Sequence, residues 1–208
     1  MNLAAIVRLA SPLVLAASLS GCMDLTSEID VLSDASARST STVTLSNAVY
    51  AIVKQDESSH AENAADKPFC KENGATLTEN ADGSAACTAI KEGDFATITG
   101  TVDANIGTTT FTTVKPGVVR VAISTETLTR GMASEQKNLD SRDEQARTQI
   151  KAAYAGHAIT IRIKGRKVID TNMTVTADGV AQKVIPFEAL IDGSANLPGE
   201  LFAVVDTR

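Results

Sequence analysis

The sequence predicts a β-rich α+β fold in a single domain: an antiparallel sheet built of hairpins, one clear helix over about 141–155, and a second short helix contending at about 47–54. Three observations carry this. Apolar and polar residues alternate along several short stretches, which is the period of a half-buried strand. Turn pairs punctuate them, among them Asp82-Gly83, Pro116-Gly117, Asp178-Gly179 and Asp192-Gly193. Only Ser141 to Ala155 joins a helical start signal to a helical apolar period.

Taken in order, Leu25, Ser27, Ile29 and Val31 alternate with Thr26, Glu28 and Asp30. Ser33 to Ser36 turns, and Ser39, Ser41, Val43 and Leu45 alternate with Thr40, Thr42 and Thr44 as the return strand of an opening hairpin. Ser46 or Asn47 can cap a short helix carrying Val49, Ile52 and Val53, but these residues fit a continued strand equally well, and both readings stay open. Gln55 to Lys67 is polar and acidic and ends at Pro68, so it reads as a loop.

Asn73-Gly74 and Asp82-Gly83 frame a hairpin of 75–79 with 85–89. A flat three-strand meander would hold Cys70 and Cys87 about 9 to 10 Å apart, beyond the reach of a disulfide. A Cys70–Cys87 bond therefore requires that the loop before the hairpin be pinned onto it. Phe95 to Val102 reads as strand. Thr108 to Val114 and Val118 to Ser124 flank Pro116-Gly117, with Val119, Val121 and Ile123 on one face. Glu126 to Leu139 reads equally as loop or helix.

The helix at 141–155 has a capping box in Ser141 and Glu144, an apolar face of Ala146, Ile150, Ala153 and Tyr154, and Gly156 at its stop. Ile159, Ile161 and Ile163 then alternate with Thr160, Arg162 and Lys164. A three-residue loop, Gly165 to Lys167, sets Ile163 opposite Ile169, whereas a two-residue turn would bring Asp170 and Asn172 onto the apolar face. Burial favours the first register. Strands around Gln182 to Phe187 and Leu201 to Asp206 complete the chain.

Composition sets limits on function. Apolar residues make up 43%, aromatics only 3%, and Trp is absent, so the core is aliphatic. Residues 22–100 carry a net charge of -8 and residues 101–208 a net of +1, an imbalance that argues against nucleic acid as a partner.

The most informative stretch is Leu19-Ser20-Gly21-Cys22, preceded by Arg8 and the apolar run Leu13 to Leu19. It resembles the lipobox of a bacterial lipoprotein signal. An ordinary secretory signal shares the charged start and short apolar centre, but the only cysteine of the first 69 residues stands directly after Leu-Ser-Gly. A membrane-spanning helix needs about 20 apolar residues, and Ser11, Pro12, Ser18 and Ser20 interrupt this run.

The resemblance implies a signal peptide over 1–21, acyl chains on Cys22, and a globular periplasmic domain over 22–208. A single acyl chain holds a membrane only marginally, and two or more anchor it lastingly. Cys70 and Cys87 remain as an even pair in an oxidising compartment, where closing their loop is worth about 3 kcal/mol.

The opening Cys22-Met23-Asp24-Leu25-Thr26-Ser27-Glu28-Ile29-Asp30-Val31 is also similar to the start of LppM-type lipoproteins, in which a strand begins directly after the lipidated cysteine and a hairpin leads to a helix. It implies an envelope location and an α+β domain. The Cys70 and Cys87 segment and the lack of a C-terminal membrane helix depart from that pattern. Met23 rather than Asp follows the cysteine, which points to the outer membrane where the enterobacterial sorting rule holds.

Catalytic signatures are absent: there is no G-x-S-x-G, H-E-x-x-H, Walker loop or G-x-G-x-x-G. Ser134 to Lys137 matches S-x-x-K without its companion motifs. A calcium loop turning at Gly83 would need acids where Thr78 and Ala89 stand. No cofactor or metal site is expected. The two histidines are His60, in a polar run, and His157, which reads as a helix cap.

Two surface features remain. Arg162, Lys164, Arg166 and Lys167 cluster at the expected hairpin tip and could meet a headgroup or an acidic partner, though charged hairpins commonly serve only to blunt a sheet. Thr40, Thr42 and Thr44 with Thr108 to Thr113 suggest a hydroxyl-rich outer face. The expectation is a non-enzymatic outer-membrane lipoprotein facing the periplasm, bound to the membrane by its N-terminal lipid and interacting with another envelope protein. The alternatives are a lipid carrier with an aliphatic pocket between helix and sheet, and a hydrolase without a recognised motif.

Overall fold

The computed structural model describes residues 23–59, 69–71, 74–99, 107–131 and 144–208. The alternation at the start forms the frame: β1 (Met23–Val31) folds back on β2 (Ser36–Leu45), in register from Met23 opposite Leu45 to Val31 opposite Ala37. Ser33 holds the turn by accepting the N–H groups of Ala35 and Ser36 on its hydroxyl at 3.2 and 3.1 Å. β3 (Ala75–Glu79) and β4 (Ala85–Asp94) form the second hairpin, and β4 continues along β2.

On the other side of β1 lies β7 (Ala158–Lys164), running parallel to it, then β10 (Ala181–Pro186) and the two-residue β9 (Thr174–Val175). The first sheet thus has seven strands in the order β3-β4-β2-β1-β7-β10-β9. A second sheet of four strands has the order β5-β6-β11-β8. It is built from β5 (Thr109–Lys115), β6 (Val118–Ser124), β8 (Lys167–Thr171) and β11 (Glu200–Asp206).

This corrects the expectation of a single antiparallel sheet. β7 and β8 are not a hairpin, and Ile163 does not face Ile169. Gly165 is where the chain crosses between sheets, and the crossing is close: a Cβ there would sit 3.0 Å from the Val205 side chain. β7 gains a partner on both edges, β1 and β10, and buries Ile161 and Ile163 completely; Ile169 stays 52% exposed. A two-stranded hairpin would have left one edge of the most apolar strand open.

The helix count also differs. Besides α1 (Asn47–Ser59) and α4 (Glu144–Tyr154) there are three short helices among the described residues: α2 (Phe95–Thr99), α3 over 126–131, and α5 (Phe187–Ile191). α1 extends well into the stretch that reads as a loop. Its start follows the expected cap, with the Ser46 carbonyl accepting the Tyr50 N–H at 2.9 Å. Phe95 to Thr99 is helical instead of extended because Asp94 caps it, accepting the Thr97 N–H at 2.7 Å. Gly156 ends α4 at φ +80°, as its position suggests, while Ser141 of the capping box lies outside the described residues.

The inner faces of the two sheets share one aliphatic core. Ile29, Ile161 and Ile163 from the first meet Val119, Val121, Ile123, Ala203 and Val205 from the second, all 0% exposed. Phe95 and Phe111 stack at 4.4 Å on its margin. A smaller cluster of Leu45, Tyr50 and Ala85 seats α1 against one end of the first sheet, with Phe69 packed beside it.

Two polar groups break the pattern. Ser27 and Thr109 bury hydroxyls that find no hydrogen-bond partner among the described residues. An unsatisfied buried group costs about 1 to 3 kcal/mol, so Ser27→Ala is expected to hold stability or raise it by up to about 1 kcal/mol, read from the urea midpoint. A clear loss would mean that the hydroxyl has a partner.

Candidate functional site

Three places on the described surface collect polar chemistry. The first is the corner where β1 begins. Met23 opens that strand, one residue after Cys22, which itself lies outside the described residues, as do residues 1–21. Asp24 fixes the corner: one carboxylate oxygen accepts the Ala158 N–H at 3.0 Å, and the other lies 3.0 Å from His157 Nδ1. His157 therefore does not cap α4 with its ring, as its position suggests. Parallel pairing of β7 with β1 carries the ring to Asp24, and nothing within ten residues of either signals it. β1 enters as an interior strand, flanked by β2 and β7.

The second place is an ion band across the outer face of the first sheet. Arg162 Nε lies 2.9 Å from Glu28, and its other nitrogens reach Gln182 at 2.8 Å and Asp178 at 3.1 Å. Lys164 Nζ lies 2.7 Å from Glu28 and 3.6 Å from Asp30. Arg38 and Glu92 extend the band at 2.7 Å, though this pair is about half exposed and so worth little.

The expected basic cluster is thereby divided: Arg162 and Lys164 are neutralised within the sheet, while Arg166 and Lys167 are exposed and make no ion pair among the described residues. The parallel register sets Leu25 beside Ile159 and Asp30 beside Lys164. At about 3.3 Å per residue, the free pair sits roughly 25 Å from Met23, at the opposite end of β1.

Burial alone would raise the Glu28 carboxyl, but the hydrogen bonds and charges of Lys164 and Arg162 outweigh it and hold the group below its usual range. Asp34 is also lowered, by the Gly117 N–H at 2.7 Å and the Thr207 hydroxyl at 2.8 Å. A carboxylate depressed in the folded state adds stability above its unfolded pKa and loses it as pH falls through the folded value. The urea midpoint is therefore expected to be flat above about pH 5 and to fall below about pH 4. Glu28→Gln should flatten part of that slope; an unchanged slope would show that the band contributes nothing to it.

The third place is a shallow groove of about 540 Å³ on the outer face of the second sheet. Thr110, Ala122, Ser124, Asn172 and Phe202 are among the residues that line it. Both amide atoms of Asn172 are engaged with the β11 backbone, and Arg120, which covers the Phe202 ring at 4.6 Å, pairs with Glu200. Among the described residues no cation lines the groove.

The expected hydroxyl face is also divided. Thr40, Thr42 and Thr44 lie on the outer face of the first sheet, with Thr42 and Thr88 hydroxyls 3.1 Å apart, while Thr109 to Thr113 form an edge of the second, with Thr109 buried. Cys70 and Cys87 are joined, with Cα atoms 5.3 Å apart, and Cys70 lies in the turn before β3 instead of in a paired strand. Among the described residues there is no cluster of metal ligands, and no helix long and apolar enough to cross a membrane.

No family model matches the chain, and no curated protein matches it. Among solved structures it is similar to the folded domain of the Mycobacterium tuberculosis LppM protein, determined by NMR, at 9% identity and a TM-score of 0.48, over 90% of this chain and 91% of that one. At this distance the likeness concerns the general course of the chain and nothing of its chemistry.

Proposed function

We propose that this chain is a non-enzymatic lipoprotein of the cell envelope, anchored through acyl chains on Cys22 and serving to hold another envelope component. The observation that supports this most is the start of β1 at Met23. With no linker between the lipidated residue and an interior strand, the folded body would sit against the leaflet. Met23 after the cysteine favours the outer membrane, with the domain in the periplasm.

Arg166 and Lys167 are then better suited to a partner's acidic surface than to headgroups of the anchoring leaflet, since they lie at the far end of β1 from the anchor. The carrier reading finds less support: Ile29, Ile161, Ile163 and Leu201, each at most 1% exposed, fill the space between the sheets that an acyl chain would need.

Expression in a lipoprotein-processing host, followed by fractionation and intact mass, tests the anchor. The native chain should be acylated and sediment with membranes, and Cys22→Ser should not. An unacylated native chain in the soluble fraction would refute the reading. Crosslinking from position 166 in intact cells tests the partner: a protein adduct is expected, and adducts to lipid alone would overturn that part.

A further inference from the structure

Met23 and the residues that follow β11 lie at opposite ends of β1, and β1 and β11 are both interior strands. β1 is held on one side by β2 over nine residue pairs, from Met23–Leu45 to Val31–Ala37. On the other side it is held by β7 over six, from Leu25–Ile159 to Asp30–Lys164. β11 lies between β6 and β8 in the second sheet.

The chain beyond β11 is tied to the far end of β1. Thr207 donates its hydroxyl to Asp34 at 2.8 Å, three residues past Val31, and its N–H to the Gly117 carbonyl at 3.0 Å. The Asp206 carbonyl accepts the Arg166 N–H at 2.9 Å. Tension between residue 22 and residue 208 is thus directed along β1, over roughly 30 Å at strand rise.

We infer that the fold is a mechanical clamp, in which tension applied between residue 22 and the Asp34, Arg166 and Arg208 end loads β1 lengthwise. The physical basis is the direction of loading. Ladder hydrogen bonds lie across the strands. A strand pulled lengthwise must break its bonds on both edges together within a short displacement, whereas a strand peeled sideways breaks them one at a time.

The outer face reinforces the same axis. Glu28 grips both Arg162 and Lys164 of β7, so sliding β1 along β7 breaks ion pairs as well as the ladder. The antiparallel hairpin provides an internal contrast. Met23 and Leu45 are opposite each other at one end of it, so separating residue 22 from residue 48 peels β1 from β2 instead of shearing it.

Use of the clamp as a membrane tether would rest on the lipoprotein reading, but the mechanics do not. The test uses the full chain made without lipidation, with Cys70 and Cys87 oxidised, so that the Cys22 thiol is the single attachment point on that side. In optical tweezers the second handle is placed either after Arg208 or, through an unnatural side chain, at position 48. Forced rupture reads the unfolding barrier along the chosen axis.

The lengthwise axis is expected to rupture at a force at least about twofold above the peeling axis at equal loading rate. Glu28→Gln should lower the former and leave the latter unchanged. Equal forces on the two axes, or a lower force lengthwise, would overturn the clamp. Because no lipid is involved, that failure is separate from a failure of acylation in cells.

Discussion

Replacing Ile161 with alanine will lower the unfolding free energy by about 3 to 4 kcal/mol, the middle of the range for an isoleucine truncated in a packed core. Ile161 is 0% exposed and occupies the middle of β7, beside Ser27 of β1 and Lys183 of β10. Its neighbours are aliphatic residues of two sheets that the chain joins at Gly165, and a void opened between sheets closes only partly.

The companion substitution is Ile169→Ala. At 52% exposure it should cost less than about 1 kcal/mol. The comparison separates the observed architecture from a β7–β8 hairpin, in which Ile169 would be buried opposite Ile163 and both losses would be large. Urea unfolding of the two variants reads the difference directly.

Opening the Cys70–Cys87 bond will have the next largest effect, a loss of about 3 kcal/mol on the chain-entropy argument, in which the bond limits the freedom of the unfolded chain. For a protein of this size that corresponds to a fall of roughly 6 to 12 °C in Tm. The sequence separation is 17 residues. The bond also fastens the turn at Phe69 and Cys70 to β4, where Phe69 lies edge-on to Tyr50 of α1 at 6.0 Å.

Cys70 is held at φ +66°, the left-handed region that few non-glycine residues adopt, so the released turn has a reason to relax. The Cys70→Ala, Cys87→Ala double variant should exchange amide hydrogens faster in α1, β3 and β4 while β7 keeps its protection. A loss below about 1 kcal/mol would show that packing by Tyr50 and Phe69 pins the turn without the bond.

Where chemistry acts over a few residues, the local sequence specifies the element. The β1–β2 hairpin follows from period-2 alternation around a serine turn. The β5–β6 hairpin follows from Pro116-Gly117, where Gly117 adopts φ +80°. The pairing of Cys70 with Cys87 follows from their being the even pair left in an oxidising compartment, and once the bond is granted, excluding a flat meander places Cys70 in the turn before β3. Misreadings fell on ambiguous stretches: Phe95 to Thr99 has strand-favouring residues, but Asp94 satisfies the first turn of a helix there.

The candidate surfaces were less legible, because each depends on strands distant in sequence. Arg162 and Lys164 read as half of a basic tip, since Glu28, which both contact, lies more than a hundred residues earlier. His157 looked like a cap for the same reason.

By itself, the sequence determined the local periods, the turns, the aliphatic character of the core and the cysteine after Leu-Ser-Gly. Only the tertiary structure decided that β1 and β7 run parallel, that the strands divide between two sheets, and that four adjacent basic residues separate into a neutralised pair and a free pair. The physical reason is range. Alternation and turn chemistry are settled within a few residues, whereas each strand's partners are settled by competition among all the apolar edges of the chain, and β7 found its best two far from its neighbour in sequence.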